Sequence, residues 1–379
     1  MPPESDPPPA HVGQIDGVVS SGIKTWRLGR RPVLDGVRGL AIILVLLNHL
    51  ALPWTGGAGA VGVTVFFVLS GFLITALLLE ERESTGTIRL AAFYERRARR
   101  LLPALVVSTA AVASLGSALG PRWFEWRDLP PVLLYYGNWV QAQVLPGGDL
   151  GSLASTWSLA VEEQFYLVWP LILLVVARAG RRAVLLFAVV GAWCSLWLRL
   201  TMIASSPSQP RLYFGSDVVA FALLVGAALV AWLGSRPERP PARVLVPVAV
   251  GLIAVPCAFD SFTAALVALP LSALGTALLL LGLSSGSHSV FEWSVLRWFG
   301  TRSYSIYLWH APIAIYLNQT LGWEGPRLWA AVLGPPLALA ELSYRCVEMP
   351  LRRRRADGRD HQLQREPAAR LTKGSAINT

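Results

Sequence analysis

From residue 33 to residue 347 the chain is a succession of apolar blocks, each about 20 residues long and separated by short stretches rich in arginine. Blocks of that length with no polar face do not suit a water-soluble fold, whose surface helices keep a polar stripe. They match the hydrocarbon core of a bilayer, crossed as helix at about 1.5 Å per residue. Candidate spans lie near 33–52, 60–79, 102–120, 158–177, 183–202, 215–234, 244–260, 263–283, 302–319 and 328–347. A polar seam at Phe259–Asp260–Ser261 divides the seventh from the eighth, and the stretch 130–146 is open to a re-entrant reading. The expected fold is therefore all-α, a polytopic membrane protein of about ten transmembrane helices.

Composition agrees: 54% of residues are hydrophobic and 15% charged, against roughly 25% charged in an ordinary soluble domain. The formal net charge of +10 would suit nucleic acid, but its placement excludes that class. With the N-terminus in the cytoplasm, 27 of the 33 Lys and Arg residues fall in segments on that same side, the pattern that orients membrane proteins. Both termini are thus expected in the cytoplasm, in the inner membrane of a bacterial cell. Residues 1–31 are Pro-rich and polar, with no apolar core of a cleavable signal. They and the basic stretch 352–379 are expected to be disordered tails flanking a membrane domain over 32–351. Cys194, Cys257 and Cys346 have neither metal-site nor disulfide spacing, and no metal is expected. No inverted internal repeat is visible.

An ionisable side chain at mid-bilayer costs about 2.5–3.5 kcal/mol on insertion scales, so each needs a reason. Arg38 and His49 stand 11 residues apart on the first span, three helical turns and about 16 Å, and project from one face. A snorkelling arginine and a histidine bonded to a backbone carbonyl are the plain structural readings. Ser70–Gly71 on the second span suits a close helix contact. Arg96, Arg97 and Arg100 cluster before the third, with Arg99 beside them. The cluster reads as a topology signal or as an anion site, since guanidinium groups hold phosphates bidentately. The fourth span carries Glu162 and Glu163, with Ser158, Glu162 and Tyr166 on one face. Asp217 opens the sixth, Tyr307 and His310 lie one turn apart on the ninth, and Glu341 and Arg345 are set for an i, i+4 pair.

These pieces together resemble the acyltransferase 3 family of membrane-bound O-acyltransferases. They are Arg38-x10-His49, GVTVFFVLSGFLIT at 62–75, FYERRARRLLP at 93–103, WSLAVEEQFYLVWP at 157–170, SYSIYLWHAPI at 303–313 and VEMPLRR at 347–353, in family order. The sixth span departs from the pattern: Val219 and Phe221 stand where relatives often carry an Arg and a second Asp. The resemblance implies acyl transfer from acyl-CoA, acetyl-CoA in the simplest case, to a hydroxyl of a carbohydrate, glycolipid or macrolide. The donor is then a co-substrate and no cofactor is bound. With no hydrolase-like region after the last span, the resemblance implies the single-domain form.

His49 suits the general base, because imidazole titrates near neutrality. Glu162 is placed to orient that imidazole or to hold acceptor hydroxyls, and Arg38 to line the donor path or fix Asp35. Arg96, Arg97, Arg100 and Ser70 are expected at the CoA site, and Asp217, Tyr166, Tyr307 and His310 at the acceptor. No G-x-S-x-G elbow supports an acyl-enzyme on Ser70 or Ser158, which favours direct transfer. Trp123, Trp126, Trp139 and Trp157 near the outer loop fit either sugar stacking or an interfacial belt. Two other classes stay open: a transporter or flippase using the intramembrane Arg, His and Glu as a path, and a non-catalytic partner in glycan assembly.

Overall fold

The computed structural model describes residues 32–351 apart from 51, 53, 120–122, 207–208, 236–241, 261–268 and 285–289. Both predicted tails lie outside the described residues. Ten helices of more than ten residues lie among those described: α1 (Pro32–His49), α2 (Ala58–Thr85), α3 (Leu90–Leu119), α4 (Trp157–Val176), α5 (Arg181–Ser205), α6 (Ser216–Leu233), α7 (Ala242–Ala254), α8 (Leu269–Leu283), α9 (Ser294–Ile315) and α10 (Gly325–Ser343). Each overlaps one predicted segment. The first six, with their flanking turns, are long and apolar enough to cross a membrane. The other four fall short of that measure for two physical reasons. α7 and α8 have only 13 and 15 residues. α9 and α10 are longer but more polar, and in α9 the buried residues Ser303, Ser305, Tyr307 and His310 face inward.

Contacts fix an up-and-down order. Arg38 meets Ser303 and His49 meets His310, so α1 and α9 run parallel. α3 runs against α4, with Tyr94 bonded to the Leu167 carbonyl. α5 runs against α6, joined by Arg199 to the Leu212 carbonyl at one end and by Arg181 beside Gly234 at the other. α10 returns against α9, with Glu341 paired to Arg302 and Trp329 bonded to the Leu50 carbonyl at the far end. The start of α1 and the end of α10 therefore share one end of the bundle, which we call the arginine end.

α2 is the axis. Apolar residues surround it on all sides, and 83% of its most apolar window is buried, as expected of a helix with no polar face. Its tightest neighbour is α6: a Cβ on Gly71 would stand 1.8 Å from the Leu223 carbonyl oxygen. The expectation of a close contact at Ser70–Gly71 is met, since a small residue lets two backbones touch where lipid offers no hydrophobic drive. α1 and α9 cross as closely, with a Cβ on Gly300 falling 1.7 Å from the Asp35 carbonyl oxygen. The perimeter is apolar: Leu186, Phe187, Val190, Trp193 and Trp197 of α5 are all exposed, a surface suited to lipid rather than water.

The segment 129–141 folds as two short helices, Leu129–Leu133 and Gly137–Gln141, hinged at Tyr135 with φ 55°. It dips into the bundle as far as Gln164, whose amide donates to the Tyr135 carbonyl at 2.7 Å and to Asn138 at 2.8 Å. The re-entrant reading of 130–146 fits this path. Replacing Gly71 or Gly300 by Leu is expected to cost about 3 kcal/mol or more, because backbone cannot yield to an inserted side chain. Gly251, with nothing within 4 Å of its added Cβ, should accept Leu. Thermal unfolding of the three variants in detergent checks this.

Candidate active site

α3 begins at Leu90, twelve residues before the predicted span, so the arginine cluster is helical rather than loop. Helical spacing then sorts it. Phe93, Arg96, Arg97 and Arg100 share a face with Arg89 just ahead, and that face lines a cavity of about 490 Å³ opposite the last turns of α2. Arg99 points away and pairs with Glu95 on the surface. Arg38 completes the lining, giving five guanidinium groups and one carboxylate, Glu81. Glu81 takes Arg89 at 3.0 Å and Arg96 at 3.4 Å. Arg97 lies 4.2 Å from the centroid of the Tyr166 ring. Such a mouth is built for an elongated anion.

A second, smaller cavity of about 40 Å³ lies deeper, lined by Arg38, Phe66, Phe67, Ser158, Glu162 and Tyr307 among others. Arg38 belongs to both spaces. Its guanidinium is held by Ser303, at 3.3 Å through Nε and 3.1 Å through Nη2; it does not fix Asp35. Ser303 is a residue that the sequence reading does not single out. The signal was present all the same: Ser303, Tyr307 and His310 stand at i, i+4 and i+7 on α9 and so share a face.

Between the two cavities stands a hydrogen-bonded cluster. Ser70 donates to Glu162 Oε1 at 3.0 Å, and the Tyr166 hydroxyl lies 3.0 Å from Oε2 and 2.7 Å from Ser70 Oγ. Tyr166 has one proton, so it serves one of these acceptors at a time. Glu162 is thus committed to Ser70 and Tyr166, and it is not the partner of His49.

His49 donates from Nδ1 to the Val45 carbonyl at 3.0 Å. A carbonyl only accepts, so the proton sits on Nδ1 and the neutral ring keeps its lone pair on Nε2. His310 repeats the arrangement, with Nδ1 2.9 Å from the Tyr307 carbonyl and 3.0 Å from that of Ile306. The two rings meet edge to face with centroids 4.8 Å apart. His310 Nε2 is buried and unpartnered among the described residues. Neither histidine lines either of these two cavities. Tyr307 connects them to the inner one: its ring lies 5.4 Å from His310, and its hydroxyl meets Ser158 at 2.6 Å.

Asp217 is elsewhere. It forms an ion pair with Arg211, which the turn at Gly215 brings back alongside it, and it lines none of these spaces. Val219 and Phe221 pack with Phe67, Trp157 and Tyr213 around a small apolar pocket. Trp123 and Trp157 are buried in the core, and Trp139 is bonded to Gln164. Only Trp126 of the four tryptophans is openly exposed, so they form no sugar-stacking row.

With this geometry in place, comparison with known proteins is decisive. A family profile described as an acyltransferase domain, acyltransferase 3, matches residues 31–340. The chain belongs to the acyltransferase 3 family. It is 35% identical to the peptidoglycan O-acetyltransferase of Listeria monocytogenes over 359 residues, 87% of this chain and 57% of that protein. A Bacillus subtilis protein provisionally named for the same activity is 32% identical, over 85% of this chain and 55% of its own length. A Staphylococcus aureus protein provisionally named an O-acetyltransferase is 30% identical, with 85% and 57% covered. The chain thus spans little more than half the length of these acyltransferase 3 relatives. No solved structure matches it.

If Ser70, Tyr166 and Glu162 act as one unit, Ser70→Ala and Tyr166→Phe should be non-additive in thermal stability. Their coupling should be about 0.5–3 kcal/mol, the range for groups in one network. A double-mutant cycle read by melting temperature checks this, and Arg99→Ala should couple to neither.

Proposed function

We propose that the chain is a multi-pass O-acyltransferase of the bacterial cell membrane, both ends cytoplasmic, moving an acyl group from acyl-CoA to a carbohydrate hydroxyl. The observation that carries this is the arginine-lined cavity, which shares Arg38 with the inner cavity beside Glu162. The 3′-phosphate and pyrophosphate of CoA would sit among Arg89, Arg96, Arg97 and Arg100. The pantetheine arm would run between α2 and α3 so that the thioester passes Arg38. An acetyl group fits an inner space of about 40 Å³ better than a long chain. The names of the relatives favour a cell-wall-type glycan as acceptor over a macrolide.

In this reading the acceptor oxygen bonds to the thioester carbon and the C–S bond breaks. The hydroxyl proton is taken by His49 Nε2 and ends on the departing CoA sulfur. His310 lies beside that imidazole, and its own Nε2 can only accept, which keeps the His49 lone pair free of an internal donor. Arg38, three turns before His49 on α1, is placed to line the donor path, and Ser303 holds it there.

The purified protein in nanodiscs, given radiolabelled acetyl-CoA and a panel of sugar and lipid-linked glycan acceptors, should release CoA and transfer label. His49→Ala should lower transfer by about 10²–10⁴-fold, the usual contribution of a general base, at unchanged melting temperature. Arg97→Ala and Arg100→Ala should mainly raise KM for acetyl-CoA, with kcat little altered. Full activity in His49→Ala would remove the base assignment. Absence of CoA binding and turnover, with every acceptor, would move the reading to a transporter or flippase.

A further inference from the structure

α4 carries two adjacent glutamates, and a helix turns successive side chains about 100° apart. Glu162 faces the inner cavity. Glu163 faces a different space, a groove of about 340 Å³ between α3, α4 and the re-entrant segment, lined also by Leu101, Leu102, Leu134 and Leu167. We propose that this groove is a lateral site for a lipid-borne acceptor, an amphiphile with a hydrocarbon chain and a neutral polyhydroxyl headgroup. The proposal rests on the transferase reading above and names its substrate class.

Three observations carry it. The groove runs alongside α3 and α4, from Tyr94 and Arg97 to Leu134 and Tyr135. Its rim residues Leu134, Leu167 and Leu102 are 72%, 59% and 39% exposed, on a perimeter that is otherwise apolar. A hydrocarbon chain lying over these leucines leaves lipid for a surface of the same character. Its floor is polar: Glu163 lies beside the guanidinium groups of Arg97, which also lines the groove, and Arg100, so acceptor oxygens and donor N–H groups stand side by side there. A carboxylate balanced by guanidinium leaves no net charge to match, and its mixed acceptors and donors suit the hydroxyls of a neutral sugar-type headgroup. Neighbouring Gln164 is not available for this task, being fully engaged with Tyr135, Asn138, Trp139 and Ser216.

The groove also reaches the candidate active site. Arg97 and Tyr166 line both it and the arginine cavity. Tyr304, which lines the inner cavity, donates to the carbonyl of Leu101 on the groove wall at 2.8 Å. A headgroup held at Glu163 is therefore separated from donor and thioester by one layer of aromatic side chains. The donor comes from the water phase at the arginine end, the acceptor from the bilayer.

The test uses the full chain in phosphatidylcholine nanodiscs with a dodecyl glucoside carrying a diazirine in its chain. Photolabelling should concentrate on peptides holding Leu102, Leu134 and Leu167 and be competed by unlabelled dodecyl glucoside. It should be lost in Leu102→Trp/Leu167→Trp, which fills the groove, and weakened in Glu163→Gln at equal melting temperature. Labelling spread evenly over the outward face of α5, or unchanged in the filled variant, would overturn the site. Acetylation from acetyl-CoA is followed in parallel with methyl and dodecyl glucoside. Competed labelling without any CoA turnover would leave the groove standing and sink the transferase reading. Acetylation of methyl glucoside as fast as dodecyl glucoside, in wild type and filled variant alike, would do the reverse.

Discussion

Two backbones in contact set the geometry of the whole site. Gly39 of α1 and Gly300 of α9 leave no room for a side chain between the helices, and Gly36 meets the Phe291 carbonyl just ahead of α9, so the pair lies in backbone contact. Everything polar on that interface is then fixed by register. Arg38 falls opposite Ser303, and three turns on His49 falls opposite His310. One contact therefore spaces the guanidinium and the imidazoles, which are the two kinds of group an acyl transfer would use. A wider crossing would leave Arg38 out of reach of Ser303 and free to turn toward solvent. In a bilayer this fixation matters more than in water, because packing rather than hydrophobic burial holds helices together.

Much of this was legible in the chain itself. Apolar blocks located all ten helices, since nothing else accounts for such runs, and the 11-residue step from Arg38 to His49 put both on one face. The arginine cluster was legible as a concentration of positive charge but not as helix, because a span search stops at charge while a helix does not. α9 was the hardest to place for the same reason: its Ser303, Tyr307 and His310 turn inward, and that polarity disguises it as a span. The surroundings of Asp217 were not legible. Its pairing with Arg211 depends on the turn at Gly215, a tertiary event that spacing along α6 does not encode. Glu162 and Glu163 could be recognised as unusual, but only packing shows that they serve different spaces.

Electrostatics is divided in the same economical way. Five guanidinium groups around one cavity would repel one another in a closed apolar bundle. Here Glu81 takes two of them, the Tyr166 ring faces a third, Ser303 holds a fourth, and the cavity is open at the end of the bundle where water reaches. Excess positive charge is affordable at that end alone. The opposite half of the bundle is correspondingly sparse: Arg211 is paired with Asp217, and Arg199 is buried against the Leu212 carbonyl. An anionic donor would find its complement from one side only.

The same packing bears on the choice between transfer and transport. Alternating access needs one bundle to rock against another around a central site. Here the site is bounded by the two contacts least able to slide, α1 on α9 and α2 on α6, where carbonyl oxygens lie against glycine Cα atoms. Arg38 lines both the arginine cavity and a deeper space of only about 40 Å³, and the Ser70–Glu162–Tyr166 cluster stands between the two. That deeper space is sized for the end of an acyl chain rather than for a sugar headgroup crossing the membrane. A tight, pre-formed constriction fed by a wide cationic mouth suits a reaction in which one small group changes hands while both carriers stay on their own sides.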